Sequence, residues 1–210
     1  MKRSENLAGG EFAGFVQTYI AETVRILESL DPDPIDGVVR ALRQTRDQGG
    51  RVFVLGVGGS AGSASHAVND LRKICGIEAY APTDNVSELT ARTNDDGWDS
   101  TFASWLEISH LNERDSILVF SVGGGSPERN ISMNIVLAID LARRLGATVL
   151  GIVGRDGGMT AQAATACVVV PPLFDKRITP HTEGLCAVIW HLLVSHPGLV
   201  SSQTKWESVP

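Results

Sequence analysis

His66 and Asp70 stand four residues apart in the run GVGGSAGSASHAVNDL, which opens on glycines and continues in helix-compatible residues. On a helix that spacing puts an imidazole and a carboxylate on one face within about 6 Å. The pair suits a divalent cation such as zinc, although an i, i+4 His/Asp pair is more often a surface hydrogen bond. His191 lies in the apolar stretch 185–194, where a histidine is either a satisfied core residue or is kept for chemistry. Glu183, eight residues earlier, falls on nearly the same helical face. The two are about 12 Å apart along the axis, so they share an ion only by leaning toward a midpoint. His110 and His196 sit beside expected helix ends and read as surface or capping groups, while His181 stays open between roles.

Two glycine-rich loops accompany these side chains. Gly56-Val57-Gly58-Gly59-Ser60-Ala61 follows an apolar run and opens the helix of His66. Glycines there let the backbone approach a ligand while free helix N–H groups face it. The loop also satisfies G-x-G-x-x-A, with Glu78 about twenty residues on, so dinucleotide binding and a plain tight turn stand beside phosphate binding. In Ser121-Val122-Gly123-Gly124-Gly125-Ser126, the hydroxyls of Ser121 and Ser126, the exposed N–H groups and a helix expected to start through Pro127 can hold a phosphate without formal positive charge. A serine cap on a flexible turn is the alternative. Glu128, in that expected first turn, stabilises the helix but repels a phosphate, and Arg129 can offset it.

Elements at the right intervals position these loops. Short apolar runs at 51–55, 116–120 and 148–153 each end at glycine or serine and lead onward to helical patterns, an alternation that indicates a parallel sheet with helices on both faces. Residues 77–81 and 167–170 are further strand candidates. Glu11 to Leu30 carries apolar residues at helical spacing, and a second helix is expected with Asp33 as cap, Pro34 in its first turn and Gly49-Gly50 at its end. Residues 86–110 read as two short helices broken around Asn94-Asp95-Asp96-Gly97, and 179–195 as a closing helix. The expected organisation is a helical extension over 1–50, an α/β domain over 51–196 and a polar tail over 197–210, frayed or acting as an exchange arm.

Composition narrows the function classes. With 210 residues, 43% apolar and 20% charged, the chain suits one α/β domain with helical extensions. Eighteen basic against 24 acidic residues give a net charge of −6, which argues against nucleic acid or an anionic membrane as partner. An anionic substrate must then be held by local donors. Cys75, Cys167 and Cys186 are too scattered for a disulfide framework and read as small buried hydrophobes in a reducing cytosol. Residues 1–10 are polar, without the apolar core of a signal peptide, and no stretch approaches the length of a membrane span, so a cytoplasmic protein is expected.

Four separated segments resemble one family over roughly residues 12–194, the phosphoheptose (sedoheptulose 7-phosphate) isomerases of the sugar isomerase, or SIS, family. GVGGSAGSASHAVNDL is similar to that family's first loop and metal helix, NVSELTARTNDDGWDSTFASWLE to its central segment with an Asn-Asp pair, SVGGGS to its phosphate loop, and GIVGRDGG to the strand and turn that follow. Together they displace the dinucleotide reading. The resemblance implies a three-layer sandwich with a five-stranded parallel sheet, assembled as a homotetramer with active sites at subunit interfaces. It implies conversion of sedoheptulose 7-phosphate to D-glycero-D-manno-heptose 7-phosphate through a metal-assisted enediol. By the same resemblance His66, Asp70, Glu183 and His191 are the metal ligands, with zinc the expected ion, and Asp70 and His191 transfer protons. Val57, Gly58, Gly59, Ser60, Asn94, Asp95, Ser121, Val122, Gly123, Ser126 and Glu183 fall where the family contacts its sugar phosphate.

The sequence also departs from that family. Asp70 replaces a glutamate and is one methylene shorter; Glu183 replaces a glutamine and adds a negative charge. Val57 stands for an asparagine, and Val122 and Gly123 for a threonine and a serine, removing two hydroxyls from the phosphate loop. Two alternatives follow: an isomerase for a different sugar phosphate, or a non-catalytic module such as the replication-initiator-associating members of the same family.

Overall fold

The structure, a computed structural model, describes residues 14–203 and 205. The expected polar amino terminus and residues 11–13 of the first helix lie outside this range. Helix α1 (Phe15–Glu28) buries Glu22 and Ile26, while Phe15, Val16, Ile20, Val24 and Leu27 remain exposed. Helix α2 (Pro32–Asp47) begins earlier than expected: Asp31 is its cap, accepting a hydrogen bond from Asp33 N at 3.0 Å. Asp-Pro-Asp-Pro offers two registers, and the helix takes the longer one because Pro32, lacking an N–H, fits the first turn as well as Pro34 does.

Strands β1 (Val52–Gly56), β2 (Ala79–Tyr80), β3 (Ser116–Ser121), β4 (Thr148–Val153) and β5 (Ala166–Val169) form one parallel sheet in the order β2-β1-β3-β4-β5. Side chains alternate across it. Val52, Val54, Leu118, Phe120, Leu150 and Ile152 pack with α2, with α3 (Gly59–Lys73) and with α8 (Ile178–Ser195). Phe53, Leu55, Ile117, Val119 and Val149 pack on the other face with α5 (Thr101–Ile108) and α6 (Met133–Arg144). Each such fully buried side chain stabilises the fold by about 1.5–3 kcal/mol, and burial of both faces makes the sheet the middle of three layers. The expected break in the central segment falls at Asp96-Gly97, after α4 (Val86–Asp95), where Gly97 has φ 86°.

The sheet fixes where a ligand can bind. From β1 the chain goes to β2 on one side and then to β3 on the other, so the loops leaving the carboxyl ends of β1 and β3 diverge and leave a crevice between them. Both glycine-rich loops are those loops.

Two expectations are corrected. No helix starts at Pro127. Residues 122–132 are a wide loop, closed by the Ser126–Ile131 bridge and by Asn130 N donating to Pro127 O at 3.2 Å, and α6 begins only at Met133. Asn130 and Ser132, both at φ 51°, turn the chain out of the path that Pro127 would have started, so Ser126 does not lead into a helix and Glu128 caps none. The start of the carboxyl-terminal tail is also tied down: Leu199 is buried, its carbonyl accepts from Arg46 Nη1 at 2.8 Å, and Ser201 N and Ser202 N donate to Ile74 O. Among the described residues no helix is long and apolar enough to cross a membrane.

Candidate functional site

Helix α3 starts at the first glycine loop and packs against α8, and this contact brings His66, Asp70 and His191 together. Asp70 Oδ2 lies 3.5 Å from His66 Nε2 and 3.5 Å from His191 Nε2, and one ligand atom from each residue fits within 4.8 Å of the others. The two imidazoles cross at 81° with centroids 5.2 Å apart. Both are half exposed, whereas the Asp70 side chain is 9% exposed. A buried carboxylate costs free energy unless its oxygens are bonded. Asp70 Oδ1 accepts from Asn69 Nδ2 at 3.0 Å, and Oδ2 accepts from Trp190 Nε1 at 3.3 Å. His191 Nδ1 sits 2.8 Å from Ala187 O; a carbonyl only accepts, so Nδ1 donates to it and Nε2 is the nitrogen that faces Asp70. Two imidazole nitrogens and a carboxylate oxygen, open on one side, are the donor set of a divalent metal with a free coordination position.

Glu183 does not join this group. The eight residues separating it from His191 place it against the first glycine loop, where a Cβ on Gly59 would come 3.0 Å from Glu183 Oε1. Gly58, at φ 62°, caps α3 there.

A cleft of about 1000 Å³ opens between the two glycine-rich loops, lined by Val57, Ser60, Phe120, Glu183 and the second loop with Ser121, Val122, Gly123 and Ser126; His66, Asp70 and His191 are not part of its lining. Inside that loop Gly124 N donates to Ser121 Oγ at 3.0 Å and Ser126 Oγ donates to Glu128 Oε2 at 3.0 Å. Helix α7 (Gly158–Ala163) buttresses it from behind: Met159 N donates to Gly125 O, and Thr160 N and Oγ1 both donate to Gly124 O. Sequence reasoning assigned no site residue to this third loop, although Gly154-Arg155-Asp156-Gly157-Gly158 repeats the pattern of a strand followed by glycines. Arg155 is exposed in the cleft at φ 52°, its side chain beside Gly123. Asn94 and Asp95 are not brought to the cleft; they lie exposed at the end of α4, Asn94 Nδ2 donating to Asp95 Oδ1 at 2.8 Å.

His181 belongs to a separate buried network. Its Nε2 lies 3.0 Å from Glu22 Oε2, and Arg177 donates to both Glu22 oxygens, joining α1 to the start of α8. The three thiols are free. Burial pushes Cys75 up to about 11 and Cys167 and Cys186 up to about 12, so all are protonated near neutrality and serve packing rather than nucleophilic chemistry.

The SIS domain family model matches residues 18–154. The phosphoheptose isomerase of Chlorobaculum parvum is 31% identical over 202 residues, spanning 91% of this chain and 92% of that protein. The lincomycin biosynthesis protein LmbN of Streptomyces lincolnensis is 30% identical over 188 residues, 86% of this chain and 68% of that protein. Among solved structures, phosphoheptose isomerase GmhA from Neisseria gonorrhoeae superposes with a TM-score of 0.74 at 24% identity, covering 86% of this chain and 96% of that one; that likeness bears on the fold. A family match over more than half the chain, joined by relatives at or above 30% identity across most of their own length, decides the affiliation: the chain belongs to the SIS domain family and, within it, to the phosphoheptose isomerases, a group of intramolecular oxidoreductases.

Proposed function

We propose that the protein is a metal-assisted aldose–ketose isomerase of sugar phosphates, with sedoheptulose 7-phosphate as substrate and D-glycero-D-manno-heptose 7-phosphate as product. The observation that carries this reading is the His66–Asp70–His191 group in a fold whose sheet has a glycine-walled cleft at its switch point. The donor set fits zinc, and a divalent ion held there supplies Lewis-acid polarisation of the sugar's carbonyl oxygen. The chain's own residues do the rest. Ser121, Ser126 and the backbone N–H groups of their loop hold the phosphate, Arg155 adds charge, and Asn69 and Trp190 keep the Asp70 carboxylate aimed at the imidazoles. Asp70 and His191, the expected proton-transfer pair, are supported more directly as ligands, because the Asp70 oxygens are engaged and His191 Nε2 faces them.

The exposed apolar stripe of Val16, Ile20, Val24 and Leu27 on α1, with Val188 and Leu192 exposed on α8, supports assembly into the homotetramer implied by the resemblance. In such an assembly Asn94 and Asp95, exposed and outside the lining of their own chain's cleft, are available to a neighbour's site. A second substrate reading is favoured by Val57, Val122 and Gly123: a sugar phosphate gripped by fewer side-chain hydroxyls, in a specialised pathway such as the one for which LmbN is named. An NMR product screen of zinc-loaded protein against ketose phosphates of five to seven carbons separates the two. Aldose from the seven-carbon substrate supports the first reading, aldose from another ketose alone supports the second, and none from any of them sinks both.

A further inference from the structure

Isomerisation moves one hydrogen between neighbouring carbons, which needs a group able to take a proton from carbon and return it. We infer that Glu183, and not Asp70, is that group, an assignment that rests on the isomerase reading above. Asp70 is 6% exposed, both of its oxygens accept hydrogen bonds, and it does not line the cleft. Three other carboxylates do. Glu128 accepts from Ser126 Oγ at the phosphate end, and Asp156 Oδ1 accepts from Gly158 N at 3.2 Å. Glu183 is exposed in the cleft, and among the described residues no hydrogen bond or ion pair engages its carboxylate.

Its position matches the task. The bare Cα of Gly59 gives the carboxylate its seat, 3.0 Å and 3.4 Å from where a Cβ would project to Oε1 and Oε2. Glu183 thus borders the first loop, Val57 and Ser60, while the phosphate donors Ser121 and Ser126 belong to the second loop. Phe120 lines the same cleft and stacks at 5.8 Å on Trp190, the residue that holds Asp70, so the wall that Glu183 shares continues into the metal-binding group. A sugar phosphate anchored at the second loop extends its carbonyl end toward this wall.

The step balances with water alone. Glu183 takes a proton from C1 of the ketose, the C1–H electron pair becomes the C1=C2 bond, and the carbonyl π pair moves to O2, which takes a proton from water. Glu183, exposed in the cleft, exchanges that proton with water and delivers one to C2, where the C1=C2 pair forms the new C–H bond; the O1 proton passes to water, and the O1–H electron pair closes the aldehyde. A glutamine at 183 leaves the cleft's shape intact but cannot carry the proton.

Carbon-bound deuterium incorporation from D₂O is followed by NMR at saturating zinc and saturating sedoheptulose 7-phosphate, then with the other ketose phosphates of five to seven carbons. Glu183→Gln is expected to lose at least about 100-fold in exchange rate, while zinc stoichiometry and sugar-phosphate affinity, read by calorimetry, stay at the parent's values. Exchange at the parent's rate overturns the assignment and leaves the isomerase reading standing. A deficit repaired by more zinc, or one matched by lost sugar-phosphate binding, also overturns it, because Glu183 then serves as a ligand or as a binding group. Parent protein that exchanges none of these ketoses overturns the isomerase reading and the assignment together.

Discussion

Trp190 donates its indole N–H to Asp70 Oδ2 over 3.3 Å, tying a ring stacked on Phe120 to the carboxylate that faces both imidazoles. An aspartate has one fewer rotatable bond than a glutamate, and this bond removes much of the freedom that is left. Outer hydrogen bonds of this kind hold a ligand in its binding orientation. Trp190→Phe keeps the stack and deletes the donor, and the expected outcome is a fall in zinc affinity of about 10–100-fold with a small change in melting temperature. Chelator competition reads the first and circular dichroism the second. Zinc affinity equal to the parent's would show that Asp70 is held by other means.

Gly124 meets a different constraint. It sits at φ 69°, and a Cβ there would overlap the carbonyl oxygen of Gly157, the residue just before α7. Gly124→Ala therefore combines a left-handed alanine, costing about 1–2 kcal/mol, with a backbone clash between the second and third loops. A lowered melting temperature and weaker sugar-phosphate binding are expected together. Gly62 is the control: it lies inside α3, and a methyl group added there would meet nothing within 4 Å, so Gly62→Ala should stabilise by up to about 1 kcal/mol. Thermal melts of both variants decide the contrast.

What the sequence revealed divides along the range of the forces involved. Strands β1, β3 and β4 were legible within a residue because continuous apolar runs bounded by glycine have few alternatives, and the i, i+4 spacing of His66 and Asp70 was local geometry. The meeting of α3 with α8, which adds His191, came from resemblance, since periodicity within one helix says nothing about its neighbour. Glu183 shows the limit of one-dimensional spacing: its place against Gly59 depends on how α8 lies across the first loop. Pro127 misled for a related reason. It favours a helix start, but the Ser126–Ile131 bridge and left-handed Asn130 and Ser132 overrode that local preference. Arg155 was passed over because its placement beside Gly123 requires the third loop to fold under the second.

Arg155 is expected to contribute to anion binding rather than to stability. It is exposed, it sits in the left-handed region, and it borders a loop that brings the hydroxyls of Ser121, Ser126 and Ser132 to the cleft. A guanidinium reaching a phosphate forms charge-assisted hydrogen bonds, and removing it should weaken sugar-phosphate binding about tenfold. Arg155→Met, titrated calorimetrically at two ionic strengths, should also flatten the salt dependence of affinity. An unchanged dissociation constant would show that Arg155 does not anchor the phosphate.

The Glu22 network predicts how α1 is held as pH falls. Hydrogen bonds from Arg177, then the one with His181, lower the Glu22 carboxyl from 4.5 to about 2 in the folded protein. A carboxyl depressed by folding stabilises the native state fully above its unfolded value, and that contribution is lost as pH drops from 4.5 through about 2. Glu22→Gln should therefore melt below the parent at neutral pH, the gap should narrow across that window, and the two should converge beneath it. Because Glu22 and Ile26 are the residues α1 buries, the loss should appear first as faster amide exchange in α1 while the sheet stays protected. Uniform loss of protection across α1 and the sheet would instead make α1 part of a single cooperative unit with the core.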